Sequence, residues 1–264
     1  MKELHVCVTM SDSYKEIYDK IFLGLLPDEF KSVNVLYIRD FDSEPGLVGE
    51  RNFKVINYKR LQFIAKQMIM HEGDNLLVLD IDAVFFRDFK DEINTLLEDN
   101  DMVFQHSPQN RQPYCIATWG MQCSRKNMDF FHKEVLPRSE ALLITKEEWD
   151  VLYKDFMNSR APGQPHHDIL SNLGVPPMWL YSVDGVPTYY DGDACVVNAA
   201  ISESDLGKEL NIALLPDTYT LDPRGGPRPE ECVLYQCTGN QGTTEKAIAL
   251  VNTYHHIKGK QDNK

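Results

Sequence analysis

The chain has 264 residues, 42% of them hydrophobic and 25% charged, enough to bury a sizeable core as one large α/β domain or as one domain with a subdomain attached. Its formal net charge of −13, from 27 Lys and Arg against 40 Asp and Glu, argues against a nucleic-acid binder, whose affinity depends on clustered cations neutralising phosphates. No stretch approaches the roughly 18 apolar residues of a membrane span, and Met1 to Val8 enters strand pattern without a long apolar signal core, so a cytoplasmic protein with no membrane span is expected. Cys7, Cys115, Cys123, Cys195, Cys232 and Cys237 are scattered without a Cys-x-x-Cys pair, which argues against zinc and for buried free thiols.

In chain order, Leu4 to Thr9 reads as a first strand and Tyr14 to Leu26 as a helix with Ile17, Ile21 and Leu25 on one face. Val33 to Ile38 is a second strand, Arg39 to Glu50 a polar loop, and Tyr58 to His71 a helix carrying Leu61, Ile64, Ala65 and Met68. The aliphatic run Leu76 to Leu79 completes a β-α-β-α-β order of the kind that builds a nucleotide-binding half. Asp91 to Glu98 reads as a short helix, Met102 to Gln105 and Tyr114 to Gln122 as strands, and Asn127 to Val135 and Lys146 to Met157 as helices. Prolines recurring from Pro162 to Pro229 break any long element, so this part is predicted to be irregular and to cap the same sheet. The expected fold is α/β, one domain with a mostly parallel central sheet and an irregular C-terminal half.

Two acids, Asp80 and Asp82, end the third strand. Open α/β sheets bind ligands at the carboxyl edge of their strands, and side chains two apart along extended backbone face one way. Two carboxylates on one side of a cleft suit a hard divalent cation, Mn²⁺ or Mg²⁺, with positions left for phosphate. A turn or helix-capping acid is the alternative for Asp80. The sequence stays apolar through Phe86, however, so neither acid reads as ordinary surface. Like charges this close repel without a cation, so Asp82→Asn is predicted to leave stability unchanged or slightly raised.

The segment Leu77-Val78-Leu79-Asp80-Ile81-Asp82-Ala83-Val84-Phe85 resembles the Asp-x-Asp motif of metal-dependent glycosyltransferases of the GT-A fold, whose acids hold the metal of a nucleotide-diphosphate sugar. The first strand with Thr9 and Ser11, the helix with Lys59, Arg60 and Lys66, the Trp119-Gly120-Met121 strand and Asp168-Ile169-Leu170 fall in family order. The resemblance implies a single GT-A-like domain over 1–264, about 1–110 binding the nucleotide sugar and about 111–264 the acceptor. It implies a glycosyltransferase that moves a sugar from a nucleotide-diphosphate donor, a UDP-sugar as first expectation, to a hydroxyl of a glycan or glycoconjugate. Asp82 is then the direct metal ligand, and Asp80 a donor contact that also reaches the metal. Thr9, Ser11, Lys59 and Arg60 become further donor contacts.

Many relatives place a His ligand ahead of a Gly and a Lys; here Gln236 stands in that place as the third ligand. Gly239 lies in the following turn and Lys246 in the helix beyond, both suited to a diphosphate. Thr243 as an N-cap explains the same residues structurally. His255 and His256 offer another His match, but with Lys258 and Lys260 they close an amphipathic helix with Ala247, Leu250 and Val251, where the helix dipole favours them. Asp168 is the candidate general base for an acceptor hydroxyl, with a helix cap as its alternative. His166 and His167 are candidate sugar contacts, and Trp179 is the best acceptor-stacking residue among Trp119, Trp149 and Trp179. Asp191-Gly192-Asp193 reads as a turn.

Two other functions fit an apolar strand followed by Asp-x-Asp. It also resembles the first motif of haloacid-dehalogenase-like phosphatases, with Asp80 as nucleophile, but that motif usually opens its fold and here two βα units precede it. A sugar- or nucleotide-binding module without turnover is the third possibility.

Overall fold

A computed structural model of the chain describes residues 2–30, 33–38, 51–106, 113–141, 143, 179–183, 186–190, 193–220, 231–237 and 243–262. The chain divides into two compact units interleaved in sequence: Met1–Asp40, Lys66–Met128 and Leu210–Lys264 form the first, and Phe41–Ala65 with Asp129–Glu209 the second.

The first unit is built on a six-stranded sheet of β1 (Leu4–Ser11), β2 (Val33–Ile38), β3 (Asn75–Leu79), β5 (Met102–His106), β6 (Tyr114–Gln122) and β9 (Ile212–Leu214), in the order β2-β1-β3-β6-β5-β9. β1 runs parallel to β2 and β3, and β5 parallel to β9, while β6 is antiparallel to both its neighbours. The expected mostly parallel sheet is therefore present, with β6 as the reversed strand. β3 is buried along its whole length, as its unbroken aliphatic run requires when both faces of the sheet are covered. The helix Lys90–Asp99 packs on one face so closely that a Cβ on Gly120 would lie 2.9 Å from Val103 Cγ2 and 3.3 Å from both Ile93 and Leu97.

The apolar stretch that continues past Asp82 is a separate strand, β4 (Ala83–Phe85), in a second sheet with β10 (Tyr219–Thr220) and β11 (Leu234–Gln236), ordered β10-β11-β4. Its side chains close two clusters: Phe85 packs with Phe22, Phe89 and the inner face of β1 and β3, whereas Val84 and Phe86 pack with Ile17, Tyr235, Leu250 and Ile257. The C-terminal helix Thr243–Gln261 buries Leu250 and Ile257 but exposes 41% of Val251, so the buried stripe runs one residue away from the expected Leu250–Val251 pair. The predicted first helix is a run of short pieces, Asp12–Tyr14, Lys15–Ile17, Tyr18–Phe22 and Leu23–Leu25, with a wider π-type turn at Tyr18–Phe22.

In the second unit, Phe131–Val135 and Leu136–Glu140 pack against the helix Asp193–Glu203. That helix, Asp-Ala-Cys-Val-Val-Asn-Ala-Ala-Ile-Ser-Glu, is buried from Cys195 to Ile201 and lies where the sequence reading expects irregular chain. An apolar run buried all round carries no period by which to recognise it. Ser204 caps the next turn, accepting from Gly207 N–H at 2.9 Å and donating to the Ala200 carbonyl at 2.7 Å. β7 (Trp179–Val183) and β8 (Val186–Tyr190) form an antiparallel hairpin, another regular element in the proline-bearing region. The helix expected over Lys146–Met157 lies outside the described residues. No disulfide joins the six cysteines, of which all but the half-buried Cys115 are buried. Among the described residues no helix is long and apolar enough to cross a membrane.

Candidate active site

β3 ends at Leu79, and the chain turns through Asp80-Ile81-Asp82 before β4 begins. Asp80 N–H donates to the Ala117 carbonyl of β6 at 2.8 Å, and Ile81 is 5% exposed in the core beneath. With Ile81 anchored inward, the two flanking carboxylates are left within reach of one and the same amide, that of Gln236.

β11 supplies the rest. Its antiparallel register with β4 sets Gln236 opposite Ala83, and Cys237 N–H donates to the Asp82 carbonyl at 2.9 Å. Gln236 is thereby held against the acid turn, where Nε2 donates to Asp80 Oδ2 at 2.9 Å and lies 3.4 Å from Asp82 Oδ1. From the first turn of the C-terminal helix, Lys246 Nζ reaches Asp82 Oδ2 at 2.6 Å and lies 5.5 Å from the centre of the Tyr14 ring. Four of the sequence-predicted residues thus meet at one point: Asp80, Asp82, Gln236 and Lys246.

Asp82 and Lys246 are both nearly withdrawn from water, at 9% and 11% side-chain exposure. Burial first, then the charge of Asp80, push the Asp82 carboxyl above its ordinary value, while Lys246 and Gln236 pull the other way. Burial draws the Lys246 ammonium down, but Asp82 and Tyr14 outweigh it and the net shift is upward. Lys246 is therefore a committed cation. It neutralises part of a carboxylate pair that would otherwise repel, and this pairing bears on the expectation that Asp82→Asn leaves stability unchanged or slightly raised, because removing the Asp82 charge also strips a buried ammonium of its partner.

Thr9 and Ser11 lie at the same sheet edge, because β1 is parallel to β3 with Val8 abreast of Leu79. The Ser11 hydroxyl is 3.0 Å from that of Ser13. Tyr14, just beyond on the same βα connection, stands beside Lys246 and carries no motif in the sequence, where it only opens the predicted helix Tyr14 to Leu26. Its one signal was position, a polar-tipped aromatic following the carboxyl end of a strand.

Lys59 and Arg60 belong to the part of the helix Arg51–Met70 that lies in the second unit, where Arg60 Nη1 is 3.1 Å from Asp193 Oδ2 at 11% and 10% side-chain exposure. Asp193 also accepts from the Ala194 N–H at 3.0 Å and opens the helix Asp193–Glu203, while Asp191 and Gly192, the rest of the expected turn, lie outside the described residues. His255 and His256 are exposed on the C-terminal helix. Trp119, fully buried, stacks on Phe104 at 5.3 Å and is a core residue. Trp179 is placed at the start of β7; Asp168, His166, His167, Trp149 and Gly239 lie outside the described residues.

No family profile matches the chain, and no curated protein is similar to it in sequence. Among solved structures, the glycosyltransferase GlyE of Streptococcus pneumoniae TIGR4 matches 96% of the chain at 9% identity with a TM-score of 0.51, and the chain spans 64% of GlyE's length. A glycosyltransferase involved in glycosylation of the major capsid of PBCV-1 matches 94% of the chain and 98% of its own at 13% identity, TM-score 0.42. The galactosyltransferase LgtC, solved in complex with donor and acceptor sugar analogues, matches 96% of the chain and 95% of its own at 12% identity, TM-score 0.48. The likeness to GlyE is one of fold alone: the chain shares the α/β architecture of that protein.

Proposed function

We propose that the protein is a glycosyltransferase that moves a sugar from a nucleotide-diphosphate donor, a UDP-sugar first, to a hydroxyl of a glycan or glycoconjugate, with Mn²⁺ or Mg²⁺ on the diphosphate. The observation that carries this reading is the convergence of Asp80, Asp82, Gln236 and Lys246 at the carboxyl end of β3, the edge where such folds hold ligands. The phosphatase reading is disfavoured by position, because its motif usually opens the fold whereas β1 and β2 precede the acid turn here.

The residues fit a hard cation. Gln236 Oε1 is buried with no hydrogen-bond partner, and turning the amide about its last torsion exchanges that oxygen with Nε2, facing both carboxylates. Three oxygens of this kind suit Mg²⁺ or Mn²⁺. When bound, the cation stabilises the charge that develops on the leaving diphosphate. Lys246 supplies a second positive charge at the same place, and released from Asp82 it can follow the phosphates. Thr9 and Ser11 offer hydroxyls to the nucleotide, with Gly239 in the connection that leads to the Lys246 helix. Asp168 takes the acceptor proton, and Trp179 and His167 hold the acceptor sugar.

A thermal-shift screen of nucleotide sugars with and without Mn²⁺ tests this. A donor bound only by the folded protein raises apparent stability by about 2.7 kcal/mol at a hundredfold excess over its Kd. We expect a UDP-sugar to do so with Mn²⁺ and not with EDTA. Equal stabilisation in EDTA removes the metal, and no response to any nucleotide sugar removes the transferase.

A further inference from the structure

At the opposite end of β3 from the acid turn lies a second cluster. The helix Arg51–Met70 ends, His71 follows, Gly73 turns the chain with φ +93°, and Asp74 leads into β3. The turn is tied down by its backbone. His71 N–H donates to the Gln67 carbonyl and Asp74 N–H to that of His71, each at 3.0 Å, and Gly73 N–H donates to the Cys123 carbonyl at 3.0 Å. Cys123 N–H in turn donates to the Asp74 carbonyl at 2.8 Å, and Asn75 N–H to that of Glu3 at 2.8 Å. β1 brings in His5, abreast of Leu76. One ligand atom from each of His5, His71 and Asp74 falls within 4.8 Å of the others.

We propose that His5, His71 and Asp74 form a binding site for a divalent transition-metal ion of the Zn²⁺ or Co²⁺ class, separate from the acid turn. Asp74 Oδ2 lies 3.2 Å from His5 Nε2, where one proton now bridges two atoms able to share a metal. Its other oxygen accepts from Glu3 N–H at 3.1 Å, the kind of outer contact that orients a ligating carboxylate. His71 Nε2 is buried with no hydrogen-bond partner, an anomaly for an imidazole nitrogen and one that a metal bond resolves. The rings stack at 3.7 Å with 21° between their planes; coordination turns them out of the stack so that both lone pairs meet the ion. Asp74, 37% exposed against 12% for His5, leaves an entry from solvent and positions for water. Two imidazoles and one carboxylate select a transition metal, whereas the all-oxygen set at the acid turn selects Mg²⁺ or Mn²⁺. Six residues of extended chain at about 3.3 Å each keep the two sites on the order of 20 Å apart.

The site stands whether or not the protein transfers sugar, and Co²⁺ alone tests it. Titrating the metal-free protein is expected to give one equivalent that persists in Asp82→Asn, with a visible d–d spectrum bleached by Zn²⁺; an equivalent lost in that variant belongs to the acid turn. His5→Gln, His71→Gln and Asp74→Asn are each expected to weaken binding at least about tenfold, while Asp82→Asn leaves it unchanged. Asp74→Asn, at a position more exposed than His5, keeps the test alive if a histidine variant fails to fold. No stoichiometric Co²⁺ binding overturns the proposal. So does binding that survives both Asp74→Asn and His71→Gln, or a thiolate charge-transfer band that puts Cys123 in the ligand set.

Discussion

Lys246 is the group whose removal reports most directly on the acid turn. Lys246→Met keeps the length and apolar stem of the side chain but leaves Asp82, 9% exposed and next to Asp80, without its cation. Breaking a buried pair by deleting one partner costs about 3 to 5 kcal/mol, and for a chain of this size about 2 to 4 °C per kcal/mol gives a melting temperature lower by roughly 6 to 20 °C. The sign with pH follows from the two shifts. Lys246 is raised in the fold above its ordinary value by Asp82, so the stability it contributes is present throughout the neutral range and is lost only as pH rises through its folded value. Asp82 is already raised by burial and by Asp80, and losing Lys246 raises it further, so on acidification it protonates in the folded variant and the deficit shrinks. Mn²⁺ should then stabilise the variant more than the wild type, because no ammonium competes for Asp82. Differential scanning fluorimetry from pH 5 to pH 8, with and without Mn²⁺, measures all three. Equal melting of variant and wild type at pH 8 without metal refutes the charge argument, and an unenhanced Mn²⁺ response refutes the competition.

Asp82→Asn is expected to abolish metal-dependent donor binding and also to destabilise the metal-free protein, since Lys246 loses its partner; a metal-free melting temperature at or above wild type contradicts the pairing. Asp168→Asn should lower kcat by about 10² to 10⁴ with donor affinity nearly unchanged if Asp168 is the base. Wild-type turnover in that variant excludes it, and retention of anomeric configuration excludes a single displacement using it. Gly120→Ala forces a Cβ to within 2.9 Å of a stiff Val103 methyl, so chemical denaturation should show a loss of about 1 to 3 kcal/mol; an unaltered midpoint means the Lys90–Asp99 helix shifts freely.

The sequence by itself determined the elements whose burial leaves a local pattern. β1, β2, β3, β5 and β6 were legible to within a residue or two at each end because their aliphatic runs are short and bounded, and Asp80 and Asp82 stood out because they end such a run. The Asp193–Glu203 helix was not, since a segment buried on every side has no period. Nor did the apolar character of 83–86 reveal that the chain changes sheets at Asp82. Packing alone decided which residues share a site. Gln236 lies 156 positions from Asp80 and Lys246 164 from Asp82, and only the β4–β11 register and the burial of Leu250 and Ile257 bring them together. The same holds for Arg60, which was expected to meet the donor and is found on Asp193, 133 positions away. Periodicity records which side of an element meets the core, a property of neighbours in the chain; the partner of a buried charge depends on which distant element covers it, and that is settled only when the sheets and helices close over one another.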